Sequence, residues 1–269
     1  MELPKLKKID LSKPKKKKIL LLSDDLRLHS GVGTMSKELV LNSCHHYDWV
    51  QLGGAIKHPD AGKRLDISAD IAKETGVEDA SVIVYPSDGY GNGEVLRQLI
   101  FTEKPDMIMH FTDPRFWGWL YNMEHELRQK LPLLYLNIWD DLPFPHWNEN
   151  FYQSCDLLMA ISKQTYNINK HVCQRKPRIE GVDLTYLPHG IDENKFRKIT
   201  PNDDEFSKYY DFREKMLQKI GLNPEFIFFF NSRNIRRKGN SNLILAYKLF
   251  CDKIGKEKAK ETCLLLHCD

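Results

Sequence analysis

The chain has 269 residues, of which 41% are hydrophobic and 29% are charged, as in globular proteins of one or two domains. A net charge of +3 argues against a nucleic-acid partner, and no apolar run approaches the roughly 18 residues of a membrane span. The six cysteines form no C-x-x-C pair, so we expect reduced thiols and a cytoplasmic location.

Residues 1–18 are rich in lysine, and we interpret them as a solvated basic leader. The alternative is that Lys15–Lys18 touches nucleic acid or an anionic membrane surface. Residues 57–75 are polar, and we expect a loop there.

Between residues 19 and 190, apolar runs of strand length alternate with segments of helical spacing. The predicted strands are Ile19–Ser23, Asp48–Gly53, Ser81–Tyr85, Asp106–Phe111, Leu133–Ile138, Asp156–Ile161 and Val182–Leu187. The predicted helices are Gly33–Cys44, Asn92–Phe101, Phe116–Gln129 and Lys163–Val172. This alternation predicts parallel βαβ units and a doubly wound sheet.

A polar segment with two prolines follows Leu187 and indicates a domain boundary. After it we predict a helix at Phe206–Ile220, a buried strand at Phe226–Phe230, a helix with apolar residues from Leu243 to Ile254, and a strand at Thr262–His267. The predicted organisation is therefore a leader at 1–18, a first Rossmann-like domain at 19–190 and the start of a second at 191–269.

A cationic loop joins the strand at Phe226–Phe230 to the next helix. It contains Arg233, Arg236, Arg237 and Lys238, and it lies at the carboxyl end of a strand and the amino end of a helix. Free N–H groups and the helix dipole favour an anion at such a place. The loop therefore predicts a phosphate site.

Four segments resemble the GT-B glycosyltransferases, and among them the retaining family 4 enzymes. They are SGVG at 30–33, DLLMAIS at 156–162, LPHGID at 187–192 with Phe196, and SRNIRRKG at 232–239 with the following LILA. The resemblance implies an α/β, GT-B-like fold with two Rossmann-like doubly wound parallel sheets, the second incomplete.

The same resemblance implies a function. The chain would move a sugar from a nucleoside-diphosphate sugar, with retention, to a carbohydrate, lipid or other hydroxyl acceptor. The donor is a substrate, and neither a cofactor nor a metal is expected, because protein cations take the metal's place in this family. The first domain would bind the acceptor and the second the donor.

Site residues carry over by position. Arg233 and Lys238 stand where the family binds the diphosphate and assists its departure. The backbone of Gly31 and Gly33 would approach the donor's distal phosphate, because a Cβ would block that approach. His110, at the end of a strand, would face the cleft near the transferring sugar as a catalytic residue. The remaining cations, Arg236 and Arg237, are interpreted as a solvated face.

A loop rich in aromatic residues follows the strand at Leu133–Ile138. Asp140 and Asp141 lie at the functional edge of the predicted sheet, and Trp139 would suit a sugar platform. These three residues are the candidates for acceptor recognition. The alternative is a loop packed on the core.

The sequence departs from the family in its second half. The E-x7-E carboxylate pair of the family would come after Asp269, so we expect a truncated chain or a decayed relative. The alternative function is a non-catalytic module that binds a nucleotide or a glycan. A transferase acting on modified DNA is a further rival. The NAD fingerprint G-x-G-x-x-G is missing, which argues against a dehydrogenase.

Overall fold

A computed structural model describes residues 15–174, 183–219, 221 and 224–268 of the chain. The chain divides into two compact units, Met1–Gly190 and Ile191–Asp269. The first fourteen residues of the predicted leader, and the predicted element ends at Val182 and Ile220, lie outside the described residues.

The first unit contains one eight-stranded sheet. Its strands are β1 Lys17–Asp24, β2 Tyr47–Gly54, β3 Leu65–Asp66, β4 Val82–Pro86, β5 Met107–Phe111, β6 Leu133–Asn137, β7 Leu157–Ala160 and β8 Asp183–Tyr186. Their order in the sheet is β3-β4-β2-β1-β5-β6-β7-β8, and every neighbouring pair is parallel except β3 with β4. This is the parallel sheet that the alternating pattern predicted.

The helices of the first unit connect these strands. They are α1 Gly31–Leu41, α2 Ser68–Thr75, α3 Gly93–Glu103, α4 Gly118–Tyr121, α5 Glu124–Leu127, α6 Glu149–Gln153 and α7 Lys163–Cys173. Three begin at side-chain caps, because Ser30, Asn92 and Ser162 each accept a hydrogen bond from a backbone N–H of the first turn.

Apolar residues cover both faces of the sheet. Along β1, Leu20 and Leu22 belong to one buried cluster, and Ile19 and Leu21 belong to another on the opposite face. Successive residues of a strand point to opposite faces, so a strand buried on both sides requires a continuous apolar run. The run at 19–22 meets that requirement.

Three expectations for the first unit need correction. The predicted loop at 57–75 contains β3 and α2, and α2 buries Ile71. The predicted helix at Phe116–Gln129 is interrupted, and the N–H of Met123 bonds to the carbonyl of Leu120 at 3.1 Å, three residues back. The leader does not reach residue 18, because β1 begins at Lys17, and Lys17 and Lys18 form ion pairs with Asp106 and Glu103.

The second unit contains α8 Phe206–Lys219, β9 Phe226–Asn231, α9 Asn240–Ile254, α10 Lys256–Ala259 and β10 Thr262–His267. Strands β9 and β10 form a two-stranded parallel sheet. The prediction that β9 is buried is wrong, since Phe226 and Phe229 are 58% and 62% exposed. Strand β9 pairs with one neighbour, and the described residues cover it only in part: Phe228 packs edge-on against Tyr247 and Phe250 of α9.

Candidate functional site

The strand order places a crevice in the first unit. From β1 the chain proceeds through β2 to β4 on one side, and from β5 through β6 and β7 to β8 on the other. Open α/β sheets bind ligands at such a switch point, outside the carboxyl ends of the two strands where the order reverses. In this sheet those strands are β1 and β5, which end at Asp24 and Phe111.

Gly31 and Gly33 begin α1 beside this crevice, but they differ in their surroundings. A Cβ on Gly33 would lie 2.5 Å from the carbonyl oxygen of Leu28 and 2.8 Å from that of Asp25. The N–H of Gly33 donates to Ser30 Oγ at 3.0 Å, so it is not free for a ligand. The structure thus gives Gly33 a packing role in place of the predicted phosphate approach. A Cβ on Gly31 would meet nothing within 4 Å.

The neighbouring carboxylates of Asp24 and Asp25 differ in their hydrogen bonds. Asp25 is fully buried, and both of its oxygens accept hydrogen bonds from Arg27, at 2.9 and 2.7 Å. Asp24 is 9% exposed, and its Oδ2 accepts from Ser30 Oγ at 3.1 Å. Its Oδ1 is buried and has no hydrogen-bond partner among the described residues. Burial raises the pKa of Asp24, while the hydrogen bond from Ser30 lowers it.

His110 lies inside the aromatic core. Its Nδ1 is 2.6 Å from the hydroxyl of Tyr121, and its ring stacks on Tyr135 with centroids 4.9 Å apart. Burial lowers the pKa of His110 to about 3, with a small opposing effect from the charge of Asp113. The expectation that His110 faces an open cleft is wrong, because the side chain is fully buried. This geometry favours a structural role.

Aromatic side chains surround the loops at this edge of the sheet. Tyr90 and Phe116 stack with centroids 5.0 Å apart and planes 8° apart. The guanidinium of Arg115 lies 5.4 Å from the ring centroid of Trp139, which meets Trp147 edge-on at 5.9 Å. Phe116 and Trp147 are exposed, and exposed aromatic faces suit the C–H faces of sugars.

The loop residues proposed for the acceptor make hydrogen bonds within the loop and to α7. Trp139 Nε1 donates to the carbonyl of Asp141 at 2.9 Å, and a carboxylate oxygen of Asp141 accepts from the N–H of Leu142 at 2.8 Å. The carbonyl of Asp140 accepts from Gln164 Nε2 at 2.7 Å. These contacts support the loop's own shape, and acceptor recognition by Trp139, Asp140 and Asp141 stays a prediction.

In the second unit, a cavity of about 350 Å³ lies at the amino end of α9. Its lining residues are Asn234, Ile235, Arg236, Gly239, Asn240, Ser241 and Asn242. Residues 236–238 form one turn of 3-10 helix, and Gly239 has a φ of 67°, a left-handed conformation that favours glycine. The predicted strand–loop–helix is therefore present, with a cavity at the predicted anion site.

The cations of this loop differ in their relation to the cavity. Arg236, which we interpret as part of a solvated face, is exposed and also lines the cavity. Arg233 and Lys238 are exposed and are not among its lining residues, so their diphosphate role stays a prediction. The sequence does not predict that one oxygen of Asp24 is buried without a partner or that Tyr90 lies near it. Neither feature has a local sequence pattern.

The described residues offer neither a metal-binding cluster nor a membrane-spanning helix. They contain no cluster of three or more His, Cys, Asp or Glu side chains that could hold a metal ion. Within the same residues, no helix combines the length and the apolar character needed to cross a membrane.

The comparisons with known proteins concern the fold. No protein-family model matches the sequence, and no curated protein matches it significantly. The chain is similar to the structure of HepE from Anabaena in complex with UDP and glucose, with 15% identity, a TM-score of 0.56, and coverage of 93% of this chain and 60% of HepE. It is also similar to an alpha,alpha-trehalose-phosphate synthase (UDP-forming) from Burkholderia vietnamiensis, with 12% identity, a TM-score of 0.60, and coverage of 95% of this chain and 65% of the synthase.

A third similar structure is the corresponding synthase from Burkholderia xenovorans in complex with glucose-6-phosphate, with 12% identity, a TM-score of 0.60, and coverage of 94% and 65%. The chain thus spans somewhat less than two thirds of the length of these proteins. At such low identity the likeness concerns architecture. It confirms the predicted fold class: the chain has an α/β, GT-B-like fold with a large, mostly parallel sheet and a second, small one.

Proposed function

We propose that the chain binds a nucleoside-diphosphate sugar and transfers its glycosyl group to a hydroxyl acceptor, with retention. The observation that carries this proposal is the cavity at the amino end of α9, beside a cationic loop, in a fold shared with a UDP-bound structure. The first N–H groups of a helix have no partner within the helix and attract phosphate oxygens. Arg236 adds a positive charge at the cavity.

The chemistry asked of this site is stabilisation of a leaving phosphate. The bond between the sugar C1 and the phosphate oxygen breaks, and a bond forms between C1 and the acceptor oxygen. The acceptor's proton passes to the leaving phosphate. Negative charge grows on that phosphate in the transition state, so cations already in place lower the barrier. Arg233, Arg236 and Lys238 are the proposed cations, and we propose that neither a metal nor another cofactor takes part.

Calorimetric titration with UDP tests the donor site. We expect Arg236→Ala, Arg233→Ala and Lys238→Ala each to weaken UDP binding about tenfold or more, since a hydrogen bond to a charged group contributes about 1.5–3 kcal/mol. Arg237→Ala is the matched control: it removes the same charge from the same exposed turn, at a residue that does not line the cavity and that has no counterpart among the diphosphate-binding cations implied by the resemblance. Equal losses in all four variants would indicate general electrostatic attraction and would contradict the assigned site.

A binding module without chemistry is the second candidate. The observation that favours it is the exposed apolar face of β9, because a sheet of two described strands offers little support to a precisely held donor. Hydrolysis of UDP-glucose, followed by release of UDP, separates the two. Release that disappears in Arg236→Ala supports the transferase, whereas UDP-glucose binding with no release supports the module.

A further inference from the structure

The carboxylate of Asp24 has an unused bonding position at the switch point of the first unit. Asp24 is nine-tenths buried, and its Oδ1 has no hydrogen-bond partner among the described residues. An ionised carboxylate that has left water without gaining a partner on one oxygen is costly. The adjacent acid, Asp25, does not share this property, because Arg27 donates hydrogen bonds to both of its oxygens.

The position of Asp24 is fixed by the sheet. It is the last residue of β1, on the same face as Leu20 and Leu22, and it pairs in register with Gly54 of β2. The ring of Tyr90 lies on Gly54, since a Cβ there would be 2.8 Å from Tyr90 Cδ1. An aromatic ring therefore lies over the residue of β2 that neighbours Asp24 in the sheet.

The aromatic surface continues outward from Tyr90. Phe116 stacks on Tyr90 and is 54% exposed. Burial, together with the charges of Asp24 and Asp113, raises the pKa of the Tyr90 hydroxyl, which is consistent with Tyr90 lying within electrostatic reach of both carboxylates. A buried acceptor oxygen next to an exposed aromatic face is a pairing that suits a sugar, which has hydroxyl donors and an apolar C–H face.

The surroundings argue against a cation as the ligand. Ser30, which donates to Asp24, is also the N-cap of α1, so Asp24 lies beside the positive end of an eleven-residue helix. The guanidinium of Arg27 neutralises the adjacent Asp25, so Asp24 and Asp25 do not present a joint double negative charge to a cation. A neutral hydroxyl compound can donate to Asp24 without meeting this repulsion.

We propose that Asp24 Oδ1 accepts a hydrogen bond from a sugar hydroxyl bound at the β1–β5 switch point, with the Tyr90–Phe116 pair beside the sugar ring. This proposal rests on the proposed function, and it names the residue that receives the hydroxyl-bearing substrate. The sugar belongs either to the acceptor or to the glycosyl group of the donor.

The test uses the whole chain and D-glucose as the probe, with binding followed by NMR at the Asp24 carboxyl and the Gly31 amide. We expect D-glucose to shift both resonances in the wild type and to bind about tenfold more weakly to Asp24→Asn. Tetrahydropyran, which keeps the ring and lacks the hydroxyls, should give no shift. Asp211→Asn, the same charge change on an exposed part of α8, should bind D-glucose like the wild type.

Parallel titrations with UDP and UDP-glucose separate the outcomes. Loss of D-glucose binding with unchanged UDP-glucose binding identifies the acceptor as the source of the hydroxyl, and a joint loss identifies the donor's sugar. UDP should bind Asp24→Asn as it binds the wild type. If UDP does not bind the wild type, the proposed function is overturned, and the glucose titration then tests the Asp24 assignment independently. No glucose binding, equal binding to wild type and Asp24→Asn, or preferential binding of methylammonium would overturn the assignment.

Discussion

Replacing each glycine of the α1 turn by alanine should separate a packing role from a binding role. In Gly33→Ala the new methyl group would lie 2.5 Å from the carbonyl oxygen of Leu28 and 2.8 Å from that of Asp25. Both oxygens already accept backbone hydrogen bonds, from Ser30 N and Leu28 N at 2.9 Å, so the turn cannot yield without weakening them. Overpacking of this kind costs about 1–3 kcal/mol.

Gly31→Ala is the matched comparison, because its methyl group meets nothing within 4 Å. Alanine at an unstrained position restricts the unfolded chain, so the stability should be unchanged or higher by up to about 1 kcal/mol. Thermal unfolding followed by circular dichroism measures both variants. At about 2–4 °C per kcal/mol for a unit of this size, Gly33→Ala should lower Tm by roughly 2–12 °C.

Two results would refute this reasoning. If Gly33→Ala unfolds at the same temperature as Gly31→Ala, then the close approach of the turn to Gly33 does not control stability. If Gly31→Ala also leaves UDP binding unchanged, then the backbone at Gly31 does not approach a phosphate. A loss of UDP affinity in Gly31→Ala at unchanged Tm would assign binding to Gly31 and packing to Gly33.

Three further predictions concern His110, Glu103 and Asp24, whose side chains are buried. The pKa of His110 is about 3 in the folded protein and about 6.5 in the unfolded chain, so the unfolded state binds the proton first as the pH falls. The free energy of unfolding therefore decreases below pH 6.5, by at most about 1.4 kcal/mol per pH unit. Between pH 7 and 5 the urea midpoint of His110→Gln should fall less than that of the wild type. Glu103→Ala removes the carboxylate oxygen that accepts a hydrogen bond from the Tyr85 hydroxyl at 2.6 Å. Urea unfolding should show that the free energy of unfolding falls by about 1–3 kcal/mol, and adding Tyr85→Phe to this variant should restore part of it. Asp24 has a raised pKa, so it contributes stability in acid that is lost as pH rises through its folded pKa. Asp24→Asn should therefore have a higher urea midpoint than the wild type at pH 7; an unchanged midpoint would contradict the burial argument.

The central strands of the first unit could be predicted because they are apolar runs buried on both faces of the sheet. The two-residue β3 was missed, since it carries no apolar run. The run at 19–22 has no polar residue and lies in the middle of the sheet, so its identity as a strand follows from composition. Helix α2 was missed for the opposite reason: of its eight residues only Ile71 is buried, which is too little for an apolar period to be visible.

The site was harder to predict because its chemistry depends on distant contacts. Gly31 and Gly33 look alike in the sequence, and the carbonyls of Leu28 and Asp25 distinguish them. His110 lies one residue before the end of β5, but its burial is produced by Tyr121 and Tyr135, which come from later elements. A sequence motif states which residue type is present, whereas these roles depend on what occupies the space around it.

The two expected effects of Asp24→Asn have opposite signs. An oxygen buried without a partner destabilises the free protein, and a ligand hydroxyl that reaches it removes that cost on binding. One substitution should therefore stabilise the fold and weaken sugar binding. A residue that serves the fold, such as Asp25 with its two hydrogen bonds from Arg27, should destabilise the protein when it is replaced. The sign of the stability change thus distinguishes a carboxylate held for a ligand from one held for the structure.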